Sequence, residues 1–229
     1  TGRSQFLGSV GDAEFNRAGT MLAYTVATED QDANGLFVME LATGRTQALD
    51  NDARIYSQLA WNDAGSGIAV LKGEAVEKML ERDNTLLVVP DVAAAMEDPS
   101  LGPKTLTASA PGFPEGWVIS HRASLTWSED GSRVFLGAKP QIPASDTVPV
   151  ESSDSTTNVD IWNTADRYLQ SVQMGRAQRE RALTYQEAFL VESGTFVALS
   201  DSTLRNLEMA PDGRWAVGRD EGPYVSDWR

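Results

Sequence analysis

The sequence predicts an all-β chain, a partial β-propeller of about four antiparallel blades carrying short helical insertions. Three observations support this: a phrase that recurs four times, a glycine at one fixed offset in each copy, and an alternating apolar run after each glycine. The copies read Phe15-Asn-Arg-Ala-Gly-Thr-Met-Leu-Ala-Tyr24, Trp61-Asn-Asp-Ala-Gly-Ser-Gly-Ile-Ala-Val70, Trp127-Ser-Glu-Asp-Gly-Ser-Arg-Val-Phe-Leu136 and Met209-Ala-Pro-Asp-Gly-Arg-Trp-Ala-Val217. Their glycines are Gly19, Gly65, Gly131 and Gly213, each four residues after the opening residue. An Asn or Asp side chain bonds the amides just ahead of it, and glycine takes the positive φ that closes a tight turn. The positions after glycine alternate as a half-buried strand does.

Each copy is followed by further strand signals. In the first unit, Gly35 to Leu41 runs into the turn Thr43-Gly44 and then Arg45 to Leu49, which makes three or four strands, the content of one blade. Successive copies start 46, 66 and 82 residues apart. A WD-type blade needs about 40 to 45 residues, so the two longer intervals call for insertions or an additional unmarked blade. Glu74 to Arg82 is rich in helix formers, with Glu74 and Lys78 at the i, i+4 spacing, and predicts a short helix or helical loop. A second helical patch is expected over Ala165 to Arg181. Residues 140–158, rich in Pro, Ser and Thr, predict a flexible surface insertion.

The 229 residues, 41% apolar and 23% charged, suit one globular all-β domain spanning 1–229. A net charge of −14 opposes binding to nucleic acid or to anionic membrane surfaces. No apolar stretch reaches the roughly 20 residues of a spanning helix. The chain has no cysteine, which excludes disulfides and thiolate chemistry and is compatible with periplasm, secretion or cytoplasm. It starts without Met and ends at Trp228-Arg229 soon after a strand signal, as expected of a fragment of a longer protein.

The repeated phrase is similar to the propeller repeat of TolB and prolyl-oligopeptidase-like proteins, usually written Ser-Pro-Asp-Gly, with Met209-Ala-Pro-Asp-Gly213 the nearest copy. The stretch Val159-Asp-Ile-Trp-Asn-Thr-Ala-Asp-Arg-Tyr-Leu-Gln-Ser-Val-Gln173, with Arg179-Glu-Arg181, Phe196-Val-Ala-Leu199 and Gly222-Pro-Tyr224, resembles the propeller of bacterial family S9 serine peptidases. The resemblance implies a non-catalytic propeller that filters peptide substrates for a C-terminal α/β-hydrolase domain of the same parent chain. The catalytic residues would lie in that domain, and no Gly-x-Ser-x-Gly elbow occurs here. A TolB-like scaffold for protein partners, without a hydrolase, is the alternative. A propeller glycosidase or lyase, using carboxylates converging from different blades, is a third reading.

No cofactor is called for. His121 is the only histidine and is expected in a strand entering the third blade, its imidazole satisfied by a neighbour. The clusters Glu29, Asp30, Asp32 and Asp50, Asp52 lack the spacing of a calcium loop and read as solvated turns. Trp61, Trp127 and Trp215 lie in or beside the repeat and are expected in blade cores. Trp117, in a Pro/Gly-rich loop, and Trp162 are candidate substrate or partner contacts. So are Arg176, Arg179 and Arg181, which could meet a peptide C-terminus.

Overall fold

The structure, a computed structural model, describes residues 6–144, 181–205 and 207–220. These residues form antiparallel sheets that follow one another along the chain, as the repeat predicts. Blade 1 is β1 (Val10–Phe15), β2 (Met21–Val26), β3 (Gly35–Glu40) and β4 (Thr46–Asn51), in that order across the sheet. Blade 2 is β5 (Ile55–Trp61), β6 (Ile68–Glu74), β7 (Asp83–Val89) and β8 (Lys104–Leu106). Blade 3 holds β9 (Trp117–Ser120) and β10 (Thr126–Trp127), both paired with β11 (Arg133–Pro140), then β12 (Tyr185–Leu190) and β13 (Thr195–Ala198). The described part of blade 4 is β14 (Leu207–Met209) with β15 (Ala216–Gly218).

Each repeated phrase is the hairpin between the first two strands of its blade. The polar residue after the opening position closes the turn: Asn16 Oδ1 accepts from the Thr20 and Met21 amides at 2.8 and 3.0 Å, and Asn62 Oδ1 accepts from Ser66 and Gly67 at 2.9 and 3.1 Å. In blade 3, Asp130 Oδ1 accepts from Ser128 Oγ at 2.6 Å and from the Ser132 amide at 3.0 Å; the hydrogen bond from Ser128, then those from Ser132, pull its carboxyl down to about 2. All four signature glycines have φ between 64 and 68°.

The turns also stack. A Cβ on Gly65 would come within 3.2 Å of the Arg17 backbone, one on Gly131 within 3.4 Å of Asn62, and one on Gly213 within 2.9 Å of Ser128. Gly19, at the start of the series, meets nothing within 4 Å. The opening tryptophans tie the same joints: Trp61 Nε1 donates to the Glu14 carbonyl at 3.0 Å and Trp127 Nε1 to the Ala60 carbonyl at 3.1 Å. Each acceptor immediately precedes the opening residue of the previous blade. One heterologous joint therefore recurs along the chain.

Apolar side chains fill these joints. Between blades 1 and 2, Ala23, Leu36, Val38, Tyr56, Ile68 and Val70 form one buried cluster; between blades 2 and 3, Ala69, Leu71, Leu86, Val134, Leu136 and Phe189 form another. Trp61 and Trp127 pack partly buried on these clusters. Trp215 is 74% exposed, which corrects the expectation of a core tryptophan: no further blade lies beyond β15 among the described residues to cover it.

One other expectation changes. Glu74 to Arg82 is no helix; Glu74 ends β6, and 75–82 turn back with Met79 bridged to Pro143. The tertiary pairing of this loop with 142–144 overrides its helix propensity, since Leu80 N donates to Ile142 O and Ala144 N to Lys78 O. The helix lies instead at α1 (Val92–Glu97), capped by Asp91, whose side chain accepts from the Ala94 amide; it packs Val92, Ala95 and Met96 into the first joint. The patch Ala165 to Arg181 lies outside the described residues up to position 180, as does the flexible insertion 140–158 from position 145.

Candidate functional site

The first strands of blades 1 and 2 pack side by side, and the first strand of each of blades 1 to 3 is interrupted. The register slips between Val10 and Ala13 in β1 and between Ser57 and Ala60 in β5. In blade 3 the break is larger: Ser120 faces Gly137 and Thr126 faces Phe135, so 121–125 leave the sheet as a loop. Bulges of this kind re-aim side chains. Asp12 Oδ2 accepts from the Gln58 amide at 2.8 Å, Gln58 holds φ 63°, and Gln58 Nε2 donates to the His121 carbonyl at 2.9 Å. A polar rail thus crosses three blades. Asp12, Glu14, Ser57 and Gln58 line a groove of about 400 Å³ between β1 and β5.

Where the blade 3 loop meets 75–82, charged groups converge. Glu81 and Lys139 are each 2% exposed. Glu81 Oε1 accepts from Lys139 Nζ at 3.0 Å and from Arg122 Nε at 2.9 Å. Gln141 clamps the Glu81 backbone, accepting from its amide at 3.2 Å and donating to its carbonyl at 3.0 Å. Burial alone would raise the Glu81 carboxyl; the hydrogen bonds from Lys139 and Arg122 outweigh it and hold it below the ordinary range. Its second oxygen faces His121 Nδ1 at 3.9 Å, and neither atom has a hydrogen-bond partner among the described residues. Burial, then Arg82, push the imidazole down against the pull of Glu81, favouring neutral histidine.

His121 is thus a turn residue just after β9, not a strand residue, and its Nδ1 has no partner among the described residues. The buried Ser120 Oγ accepts from the Arg122 amide at 3.2 Å, as a turn-closing hydroxyl does. The arrangement is an ion cluster that sews blade 2 to blade 3. Among the described residues no group of three or more metal-ligating side chains occurs.

Of the residues singled out from sequence, Trp117 opens β9, packs half-buried on the second joint, and sits 4.8 Å from the Tyr185 ring at 43°. It is a strand residue, not a loop residue. Arg181 reaches the cluster through its backbone: its carbonyl accepts from Lys139 Nζ while the residue itself is exposed. Trp162, Arg176 and Arg179 lie outside the described residues. Glu29, Asp30 and Asp32 are exposed in the turn after β2. Asp50 and Asp52 form no solvated turn: Lys72 Nζ lies 3.0 Å from Asp50 and 3.3 Å from Asp52, Arg54 lies 3.5 Å from Asp52, and the buried Tyr56 hydroxyl donates to Asp50. Burial and then that hydrogen bond raise the Tyr56 phenol.

Sequence reasoning missed Glu81, Arg122 and Lys139. The one local signal was Lys139 near the end of the apolar run of β11, an inward position where lysine demands a partner.

No family model matches the sequence, and no curated protein matches it. Solved structures similar to the chain include a β-propeller domain. The propeller domain of the Trilobed protease from Pyrococcus furiosus is 10% identical with a TM-score of 0.47, covering 90% of this chain and 47% of that one. TolB from Acinetobacter baumannii is 9% identical with a TM-score of 0.42, covering 93% and 38%. The acylaminoacyl peptidase of Pyrococcus horikoshii is 11% identical with a TM-score of 0.44, covering 86% and 26%. The chain spans less than half the length of each.

Proposed function

We propose that this chain is the substrate-filtering propeller portion of a prolyl-oligopeptidase-like serine peptidase, and that it contributes no reacting group itself. The reading rests on the family S9 resemblance of the sequence from Val159 onward. The observation that supports a filter is the broken edge of first strands in blades 1 to 3, where Asp12 and Gln58 present polar groups along one rail and leave a groove between β1 and β5. Such a groove, lined by Asp12, Glu14, Ser57 and Gln58, gives an extended peptide a polar path to lie along. The hydrolase domain and the peptide substrate belong to this proposal.

The test uses the full-length parent protein. Its reading frame should encode a Gly-x-Ser-x-Gly elbow after the propeller, and a fluorophosphonate should label that serine. Turnover of peptides of increasing length is then compared in the parent and in its Gln58→Ala variant. The account expects the long-to-short ratio of kcat/KM to rise several-fold in the variant, with short-peptide turnover unchanged. A frame that ends after further blades, or an unchanged ratio, contradicts it; the former outcome favours the scaffold reading.

A further inference from the structure

We propose that Asn34 is a deamidation site sealed by the closed joint between blades 1 and 2, and that its conversion fixes the joint open. The proposal stands on the turn between β2 and β3 and is independent of the peptidase reading.

Asn34-Gly35 is the one Asn-Gly step in the chain. Glycine leaves its amide nitrogen unshielded by any side chain, so an asparagine before it closes on that nitrogen more readily than before a bulkier residue. The fold nevertheless requires both residues. A Cβ on Gly35 would lie 2.7 Å from the Asp50 carbonyl oxygen and 3.0 Å from the Phe37 ring. Asn34 Oδ1 accepts from the Thr28 amide at 2.7 Å and from Thr28 Oγ1 at 3.1 Å, while Nδ2 donates to the Arg54 carbonyl at 2.8 Å. The amide serves as acceptor and donor at once, and an ionised carboxylate can only accept.

The same contacts prevent the reaction. Ring closure needs the Asn34 side chain to swing over its own backbone until Cγ meets the Gly35 nitrogen. Here the amide is pinned at both ends, and Asn34 is 1% exposed. Its backbone carbonyl accepts from Asn51 Nδ2 at 2.9 Å and from the Asp52 amide at 3.3 Å, and Gly35 pairs with Val26 and Asn51 in the sheet. Reaction therefore waits on a local opening in which the turn 27–34 parts from 52–54, the link between the blades. Once open, the Gly35 nitrogen attacks Asn34 Cγ and gives its proton to water. The new C–N bond forms, the Cγ–Nδ2 bond breaks, and the side-chain nitrogen leaves as ammonia. Water then opens the cyclic imide at either carbonyl, giving aspartate or, with the backbone rerouted through Cγ, isoaspartate. Neither product can donate to the Arg54 carbonyl, and a carboxylate buried against that oxygen is unfavourable. A transient opening thus becomes permanent.

The experiment holds the whole chain at mildly alkaline pH, in native buffer and in unfolding guanidinium chloride, and follows conversion at Asn34 by peptide mapping. Asn16, Asn62 and Asn84, none of which precedes glycine, are the internal comparators. In denaturant Asn34 should convert at least about tenfold faster than any comparator, and at least about tenfold faster than in the native chain, where the rate follows the open fraction. Thr28→Val removes one of the three side-chain bonds and should raise the native rate several-fold with the denatured rate unchanged; Thr28→Ser keeps the hydroxyl and should match the wild type. Asn34→Asp should melt several degrees lower than the wild type. Should that variant fail to fold, wild-type chain converted in denaturant and returned to native buffer serves instead and should melt below its unconverted counterpart. Native conversion as fast as denatured, an Asn34 rate in denaturant no faster than the comparators, a Thr28→Val rate equal to the wild type, or a converted chain that melts as the unconverted one does overturns the proposal.

Discussion

At the scale of single residues, two buried carboxyl groups behave in opposite ways because their surroundings differ. Glu81 has Lys139 and Arg122 on one oxygen and stays ionised. Glu187 on β12 is buried with only the Leu199 amide, at 2.9 Å, among the hydrogen bonds that oppose its burial, and burial pushes it up from 4.5 to about 7. A raised carboxyl binds its proton more tightly when folded, so its stabilising contribution is full below about pH 4.5 and is lost as pH rises through about 7. The shift corresponds to about 3 kcal/mol, an upper figure. Glu187→Gln should flatten the fall in Tm between pH 5 and 8 and leave the variant the more stable at pH 8, read by thermal melts across that range. Lys139→Met should cost about 3 to 5 kcal/mol because it strands Glu81, and adding Glu81→Leu should recover most of the loss. A double-mutant cycle by urea unfolding checks this; additive losses would contradict it.

At the scale of the element, the repeated hairpin sets both the turn and the joint. Gly19→Ala and Gly213→Ala carry the same positive-φ penalty, about 1 to 2 kcal/mol, but only Gly213 would drive its Cβ into Ser128 and Phe135. Gly213→Ala should therefore lower Tm clearly more than Gly19→Ala. Trp61→Phe and Trp127→Phe should each cost about 1 kcal/mol for the lost indole bond, while Trp215→Phe should be neutral within about 0.5 kcal/mol. The hairpins were legible in the sequence because their closure is local, settled by Asn, Asp and Gly within a few positions. Residues 75–82 were not, since that loop pairs with 142–144, about sixty positions away, and local propensity carries no trace of such a partner. The ion cluster was hidden for the same reason: Glu81, Arg122 and Lys139 come from separate segments that only blade packing brings together. Trp215 misled because the repeat marks a position as inward-facing whether or not a described neighbour covers it.

For the whole molecule, the joints explain why four units too small to bury their own faces form an ordered stack. Each blade supplies apolar cover for the one before it, and the turn contacts and indole bonds fix direction. The edge of first strands left by this stacking is polar and broken. The direct test is hydrogen exchange at the indole N–H groups of the dilute chain, assigned by Trp→Phe variants. The account predicts slow exchange for Trp61 and Trp127, which bond across joints, and rapid exchange for Trp215. Exchange at Trp61 and Trp127 as fast as at Trp215 would contradict it.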